Sequence, residues 1–374
     1  MTIGDVHATS GILSALAAPF AMTIGFILWD VHWKANGGSA FSLNMFKCTL
    51  ACVGFLVMSS IFFKEQTNND EKQSDNVFAL FDDNRMDVSY LMLSSFIGII
   101  IGDALWLESL QIIGSRRVIV IDAMKPFIGA LMDWIFLGDE PIAAFGYVGM
   151  LLAVIGVLAV GLEEDGSDIE ENNDEKGEEN RQNKGDYVEQ TFPIDIEGEV
   201  DDTSMSSSSK VNDSHPAGYK IGYLYSIANV ILDSYGFVLT KQFGGAFTSW
   251  QIGLVRFGFA GVVLVLISFL MRFLELLKLN KYQIENTWYK LPTMQTTDWS
   301  KILIGVLFVT FLCPSLTNYA IFEIPLGLAL TLFSIGPLYA IPLVWILKNE
   351  GPTFRGIVGG VIAVAGVIIL VLTG

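Results

Sequence analysis

The sequence predicts an all-α membrane protein of ten transmembrane helices, arranged as two inverted five-helix repeats. Three observations support this prediction: an excess of apolar residues, ten apolar stretches of membrane-spanning length, and an approximate internal repeat. Of the 374 residues, 52% are hydrophobic and only 16% are charged, whereas soluble chains carry about 25% charged residues. The apolar excess therefore indicates a chain that lies in a membrane.

Ten apolar stretches have the length of a membrane span, since about 20 residues cross about 30 Å of hydrocarbon in a helix. The five in the first half are 11–31, 41–63, 88–110, 117–137 and 142–162. The five in the second half are 219–239, 250–271, 301–321, 325–347 and 354–373.

The negative charge is concentrated between the two halves. The net charge is −17, and the segment Glu163–Ala217 alone holds 18 acidic and 4 basic residues. It is also serine-rich and poor in apolar residues, so we predict a disordered linker over 163–217, between five-helix units at 1–162 and 218–374. With no basic stripe, the chain is not expected to bind nucleic acid. Asn212 begins an Asn-Asp-Ser glycosylation motif, usable if the linker faces a secretory lumen.

The two halves repeat at a nearly constant offset. A shift of 211 residues aligns glycines, prolines and tryptophans in order: Gly11 with Gly222, Pro126 with Pro337, and Trp134 with Trp345. A shift of 210 continues the match near the end of each half, with Gly149 on Gly359 and Gly156 on Gly366. Because five spans per unit reverse the chain direction, we expect the two units to have opposite orientations, an architecture characteristic of secondary transporters.

The end of each half follows one pattern: an apolar helix with a proline, a Gly-Glu-like turn, and a glycine-rich last helix. The two copies read KPFIGALMDWIFLGDEPIAAFGYVGMLLAVIGVLAVGL and GPLYAIPLVWILKNEGPTFRGIVGGVIAVAGVIILVL, and the second departs in having KNE at the turn. In these motifs, and in the basic residues Lys47 and Arg256 of the second helices, the chain resembles the EamA-type branch of the drug/metabolite transporter superfamily. The resemblance implies transport through a cavity lined by the fourth helix, and it names no substrate.

The resemblance also implies that both termini lie in the cytoplasm. Lysines and arginines are more frequent on the linker-side face, which favours the reverse orientation. The sequence therefore leaves the orientation open.

Ionisable groups within a span are costly unless they face protein or water, so each is a candidate functional residue. At 100° per residue, Asp122, Lys125, Gly129 and Asp133 form one polar stripe on the fourth predicted helix. Other polar groups occur in the third, sixth and eighth predicted helices. We therefore expect a substrate or coupling-ion cavity lined by Asp103, Glu108, Asp122, Lys125, Asp133, Asn229, Asp233 and Tyr319.

Several of these residues also have structural interpretations. Lys125 either binds substrate or only neutralises Asp122 or Glu108, and Asp133 is better interpreted as an interfacial carboxylate. Pro126 and Pro337 kink their helices, either as hinges or as static bends. The small-xxx-small spacing of the last helix in each half indicates close helix packing.

Motifs for catalysis are missing from the sequence, which has no HExxH, P-loop or GxSxG pattern. The three cysteines and three histidines lack metal-ligand spacing. We therefore expect no enzyme activity, cofactor or metal, and predict a secondary transporter that moves a small organic metabolite by alternating access. Its expected partners are the lipid bilayer, a small-molecule substrate, and a coupling ion or proton. The alternative is a non-transporting membrane receptor or scaffold whose acidic linker recruits a partner.

Overall fold

The structure is a computed structural model that describes residues 3–67, 84–138, 143–161, 216–277, 288–339, 342–343 and 354–373. All regular elements within these residues are helices. Residues 163–215 of the predicted linker, including the glycosylation motif, lie outside the described part of the chain. The linker boundaries therefore stay a prediction.

The described residues of the first half form six α-helices and two π-helical segments. They are α1 (Ile3–Ala35), α2 (Ala40–Thr67), α3 (Arg85–Ser95), π1 (Phe96–Gly102), α4 (Asp103–Asp122), α5 (Lys125–Met132), π2 (Asp133–Leu137) and α6 (Ala144–Gly161). The second half contains α7 (Pro216–Phe243), α8 (Ser249–Leu276), α9 (Thr296–Val306), π3 (Leu307–Leu312), α10 (Cys313–Glu323), α11 (Leu326–Phe333) and α12 (Phe354–Thr373).

Local sequence signals account for where several helices begin and end. The start of α8 has a capping box, in which Thr248 Oγ1 accepts from Gln251 N at 3.3 Å and Gln251 Oε1 accepts from Thr248 N at 2.9 Å. The chain leaves α1 through Gly37, whose φ of 72° lies in the left-handed region that glycine adopts without strain.

Six helices in the described part of the chain are long and apolar enough to cross a membrane: Val6–Phe26, Ala40–Ile61, Arg85–Leu110, Ser249–Leu276, Thr296–Glu323 and Phe354–Thr373. Ala144–Ala159 and Leu326–Tyr339 are shorter apolar helices. Two of the predicted spans are not among these eight. The stretch 117–137 is broken at residues 123–124, and α7 carries Asn229 and Asp233 near its middle. The count of ten spans therefore stays a prediction.

The internal repeat extends to the irregular parts of the helices. Segments π1 and π3 begin 211 residues apart, at Phe96 and Leu307. The helix breaks at residues 123–124 and 334–335 have the same offset. Because π-helical turns and mid-helix breaks are uncommon, their recurrence at the offset of the sequence repeat supports a duplicated unit.

Corresponding helices of the two halves pack against each other in antiparallel directions. A Cβ atom on Gly149 of α6 would lie 2.7 Å from Gly366 O of α12, and one on Gly156 would lie 2.5 Å from Gly359 O. Moving seven residues along α6, from Gly149 to Gly156, moves the contact seven residues back along α12, from Gly366 to Gly359. The two helices therefore run in opposite directions. The predicted small-residue faces thus pack on each other.

The second helices of the two halves, α2 and α8, are antiparallel by the same test. A Cβ atom on Gly258 would lie 3.4 Å from Cys52 Sγ, and one on Gly261 would lie 3.3 Å from Thr49 N. The contact between α5 and α11 runs likewise, with Gly129 against Leu330 and Asp133 against Leu326.

The first helix of each half packs along the third predicted span of the other half. On α1, Cβ atoms added to Gly11 and Gly25 would each lie 2.6 Å from a neighbour, Glu323 Cβ and Gly305 O respectively. On α7, a Cβ atom on Gly236 would lie 3.4 Å from Ser94 O. The two halves therefore contact each other through equivalent pairs of helices, the first span of one half against the third span of the other.

The predicted loop between the third and fourth spans is helical in its backbone, yet the chain reverses there. Trp106 Nε1 donates a hydrogen bond to Asp122 Oδ2 at 3.1 Å. A straight helix would separate these two Cα atoms by about 24 Å, which is beyond the reach of the two side chains. Helix α4 therefore turns back on itself between Trp106 and Asp122, as two separate spans require.

Candidate substrate-binding site

Lys125 links the two halves of the chain at a helix break. Its Nζ lies 3.4 Å from Asp122 Oδ1 in the first half and 3.3 Å from Asp233 Oδ2 in the second. Asp122 ends α4, residues 123–124 form a turn, and Lys125 begins α5 beside Pro126. The break places Lys125 where it reaches both carboxylates.

The structure brings together some of the sequence candidates and separates others. Asp122, Lys125 and Asp233 form one charged group, and Trp106 holds the second oxygen of Asp122. Glu108, considered as a partner for Lys125, is exposed. Asp233, which the structure adds as a partner, lies on a helix of the other half.

A second ion pair joins Lys47 of α2 to Asp103 of α4. The Lys47 Nζ atom lies 2.6 Å from Asp103 Oδ2, and Lys47 is buried. Asp103 is the first residue after π1. The sequence singled out Lys47 only as a feature of the family resemblance, and the structure places it on a candidate site residue.

Two asparagine side chains hold π1 in place from opposite sides. Asn44 Nδ2 donates to Ile99 O at 3.0 Å, and Asn229 Nδ2 donates to Gly102 O at 2.9 Å. The widened π-helical turn presents carbonyl groups to side chains of α2 and α7, and buried carbonyl groups need such donors. These contacts fix the backbone on which Asp103 is carried.

Arg256 of α8 is buried beside π1 and α7. Its Cζ lies 5.8 Å from the centre of the Phe237 ring, within the range of a cation–π contact. Ser95 Oγ donates to the Arg256 carbonyl at 2.5 Å. The guanidinium borders Gly98 and Gly236, where glycine leaves room for it. Like Lys47, Arg256 was not among the sequence candidates.

Asp133 lies apart from this cluster, at the start of α11. Its Oδ2 accepts from Leu326 N at 2.9 Å, and its Oδ1 lies 3.6 Å from Lys241 Nζ. The carboxylate thus meets the positive end of a helix and a lysine. It is buried, and these contacts indicate a structural role.

Tyr319 and the two prolines have other surroundings. The Tyr319 hydroxyl lies 2.9 Å from Ser10 Oγ, in the contact between α10 and α1. Pro126 is buried in the first turn of α5, and Pro337 lies in the short helical turn after the break at 334–335. The prolines therefore follow the helix breaks at equivalent places in the two halves.

The charged residues that the first half contributes to the cluster have uncharged counterparts in the second half. Under the shift of 211, Asp103, Asp122 and Lys125 correspond to Pro314, Phe333 and Gly336. A site between the halves would thus combine charged groups with apolar ones. Such a site can bind a small solute that has an ionic and an apolar part.

Comparison with known proteins agrees with the two-unit organisation. The model of the EamA-like transporter family matches residues 9–162 and 220–372. A solved structure described only as a crystal structure of a protein aligns over 96% of this chain and 96% of that chain, with a TM-score of 0.58 and 11% identity. At that identity the likeness concerns the fold alone. A search of curated proteins found no match to the chain.

Proposed function

The chain belongs to the EamA-like transporter family, and from this premise we propose that it is a secondary carrier for a small organic solute. With six apolar helices of spanning length among the residues that the structure describes, it is an integral multi-pass membrane protein. The solute binds between the halves, beside Asp103, Asp122, Lys125 and Asp233, and reaches either side of the membrane by alternating access.

The proposed topology is ten spans in two inverted five-span repeats. Antiparallel packing of α6 on α12 and of α2 on α8 supports it, because equivalent helices of inverted units cross the membrane in opposite directions. The doubled π-helical segments and helix breaks support the duplication itself.

The observation that carries the proposal is the bridge from Lys125 to both Asp122 and Asp233. These groups belong to different halves, so a movement of one half against the other changes the distance between Lys125 and Asp233. The breaks at 123–124 and 334–335 supply positions where the helices can bend. A bound solute that competes for these charges would couple its own binding to that movement.

Uphill transport would draw on a gradient of an ion, a proton or a counter-solute, since no catalytic step is assigned to the chain. The reaction is movement of an unchanged solute. The proposed partners are therefore the bilayer, the solute and, for uphill transport, the coupling species.

The test is solute counterflow in proteoliposomes that contain the purified protein, with a panel of labelled carboxylates, phosphate esters, amines and neutral metabolites. Vesicles with Lys125→Ala protein serve as the comparison. We expect saturable uptake of at least one class by the native protein and a loss of most of that uptake in the variant. Lack of protein-dependent uptake across the panel would reject the carrier and favour a receptor or scaffold.

A further inference from the structure

We infer that Arg256 binds an anionic group, a carboxylate or a phosphate, on the solute that the protein carries. This inference rests on the proposed transport function and narrows it to a substrate class. Four observations lead to it: the burial of Arg256, its lack of a direct ion pair among the described residues, its contrast with Lys47, and the missing side chain at Gly98.

Arg256 is a buried cation whose nearby carboxylates, Asp233 and Asp103, act on it electrostatically without forming a direct ion pair. Only 5% of the residue surface is exposed. Its Nε atom is buried with no hydrogen-bond partner, and among the described residues no carboxylate forms an ion pair with its guanidinium. Burying a charge without a partner is costly, so a ligand that supplies negative charge would be bound favourably here.

The equivalent residue of the first half shows what Arg256 lacks. Lys47 and Arg256 are 209 residues apart, two fewer than the 211 shift, and each is the eighth residue of a 28-residue helix, α2 and α8. Lys47 is neutralised by Asp103, whereas the position 211 residues after Asp103 is Pro314. The second half thus retains the cation and has lost the matching carboxylate.

The space beside the guanidinium suits a small anion. A Cβ atom on Gly98 would lie 3.5 Å from Arg256 Nη2 and 4.0 Å from Asp233 Oδ1. Because Gly98 has no side chain, this point leaves room for one atom in van der Waals contact with both charged groups. Gly236 also lacks a side chain, and a Cβ atom there would lie 3.7 Å from the same Nη2.

The chemistry of arginine selects the kind of anion. Its planar guanidinium offers parallel N–H groups that match the two oxygens of a carboxylate or phosphate. The Phe237 ring lies 5.8 Å from Arg256 Cζ, a cation–π contact that helps to position the guanidinium. An oxyanion at Gly98 would supply the direct ion pair that Arg256 lacks, with the rest of the solute extending toward Lys125 and its two carboxylates.

Binding is tested on the full chain in detergent by thermal unfolding, with benzoate, phenyl phosphate, benzylamine and benzyl alcohol as a matched set at constant ionic strength. Metabolites of the same four classes follow. We expect stabilisation by a carboxylate or a phosphate ester and none by amines or alcohols. Comparing stabilisation by benzoate with stabilisation by phenyl phosphate, and by the metabolites of each class, shows whether the site prefers a carboxylate or a phosphate.

Three variants show whether Arg256 is the group responsible. Arg256→Gln should weaken anion affinity by at least about tenfold, as expected for loss of a charged hydrogen bond. Arg256→Lys keeps the charge without the planar fork, so it should bind more weakly than the native protein and more tightly than Arg256→Gln. Arg272→Gln, an exposed arginine on the same helix, should bind like the native protein.

Flux measurements on the same proteins separate this inference from the transport proposal. Uptake of a solute that has no anionic group, unchanged in Arg256→Gln, would overturn the anion site and leave the carrier in place. Anion binding that depends on Arg256, without flux of any solute, would keep the site and reject the carrier. If Arg256→Gln fails to fold, the affinity of Arg256→Lys decides, and native anion affinity in that variant overturns the inference.

Discussion

The Lys125 ammonium and the Asp233 carboxylate lie 3.3 Å apart, although the acidic linker separates them in the chain. Asp122 lies 3.4 Å from the same ammonium. One lysine therefore pairs with two carboxylates that come from different halves. The local pair expected from the sequence is only part of this contact.

Removing Lys125 should destabilise the protein through both carboxylates. These side chains are 22–25% exposed, so for Lys125→Ala we expect a loss of about 2 kcal/mol, less than for a fully buried pair. The double variant with Asp122→Ala should regain only part of the loss, because Asp233 remains unpaired. The triple variant with Asp233→Ala should regain most of it. Thermal unfolding in detergent measures each step.

Flux in the same variants separates a structural lysine from a functional one. If Lys125 binds solute or senses the coupling species, the stable triple variant should remain inactive. Normal flux in that variant would leave Lys125 as a structural ion pair. Lys290→Ala provides the control, because its pair with Glu275 is largely exposed, and we expect a much smaller change in the unfolding free energy than for Lys125→Ala.

Close packing of α6 on α12 should tolerate no added side chain at the contact. A Cβ atom on Gly366 would lie 2.6 Å from Gly149 O and 2.9 Å from Ala153 Cα. Gly366→Ala should therefore lower the unfolding free energy by about 1–3 kcal/mol, as overpacking does. Gly360→Ala is the matched control on the same helix, since its nearest neighbour lies 4.0 Å away. Equal melting temperatures for the two variants would contradict the contact.

Helix positions and ionisable candidates could be predicted from the sequence because both depend only on residues within a single helix. The predicted span 41–63 falls within α2, Ala40–Thr67. The packing of small residues in α6 and α12 followed likewise from their spacing. A helical wheel orders Asp122 and Lys125 on one face, but it contains no information about a helix of the other half, so Asp233 was not expected as a partner.

The remaining features depend on contacts across the bundle. The π1 segment has no signal in the run Phe96–Gly102, and its exposed carbonyls are held by Asn44 and Asn229 from other helices. Lys47 forms a direct ion pair with Asp103, whereas the position 211 residues after Asp103 is Pro314. The matching places of Lys47 and Arg256 in their helices, together with that missing acidic residue, were the signal that could have identified Arg256 in advance.

Asp133 should contribute to stability rather than to solute binding. Its carboxylate accepts from Leu326 N at the start of α11 and pairs with Lys241. Asp133→Ala removes both contacts, and we expect a loss of about 1–3 kcal/mol for a buried donor left unpaired. Asp133→Asn keeps a side-chain oxygen for Leu326 N and should lose less. Melting temperatures rank the variants, and a solute KM that is unchanged in Asp133→Asn separates stability from binding.

The antiparallel packing of α6 and α12 predicts which ends of these helices share a side of the membrane. Phe145 near the start of α6 and Phe354 at the start of α12 are both exposed, at 73% and 83%. In a protein whose Cys48, Cys52 and Cys313 are replaced by alanine, Phe145→Cys and Phe354→Cys should react with a membrane-impermeant maleimide from opposite sides of sealed vesicles. Ala143→Cys, in the exposed position two residues before Phe145, should react from the same side as Phe145→Cys. Labelling of Phe145→Cys and Phe354→Cys from one side would reject the inverted arrangement, because antiparallel helices that both cross the bilayer cannot begin on the same face.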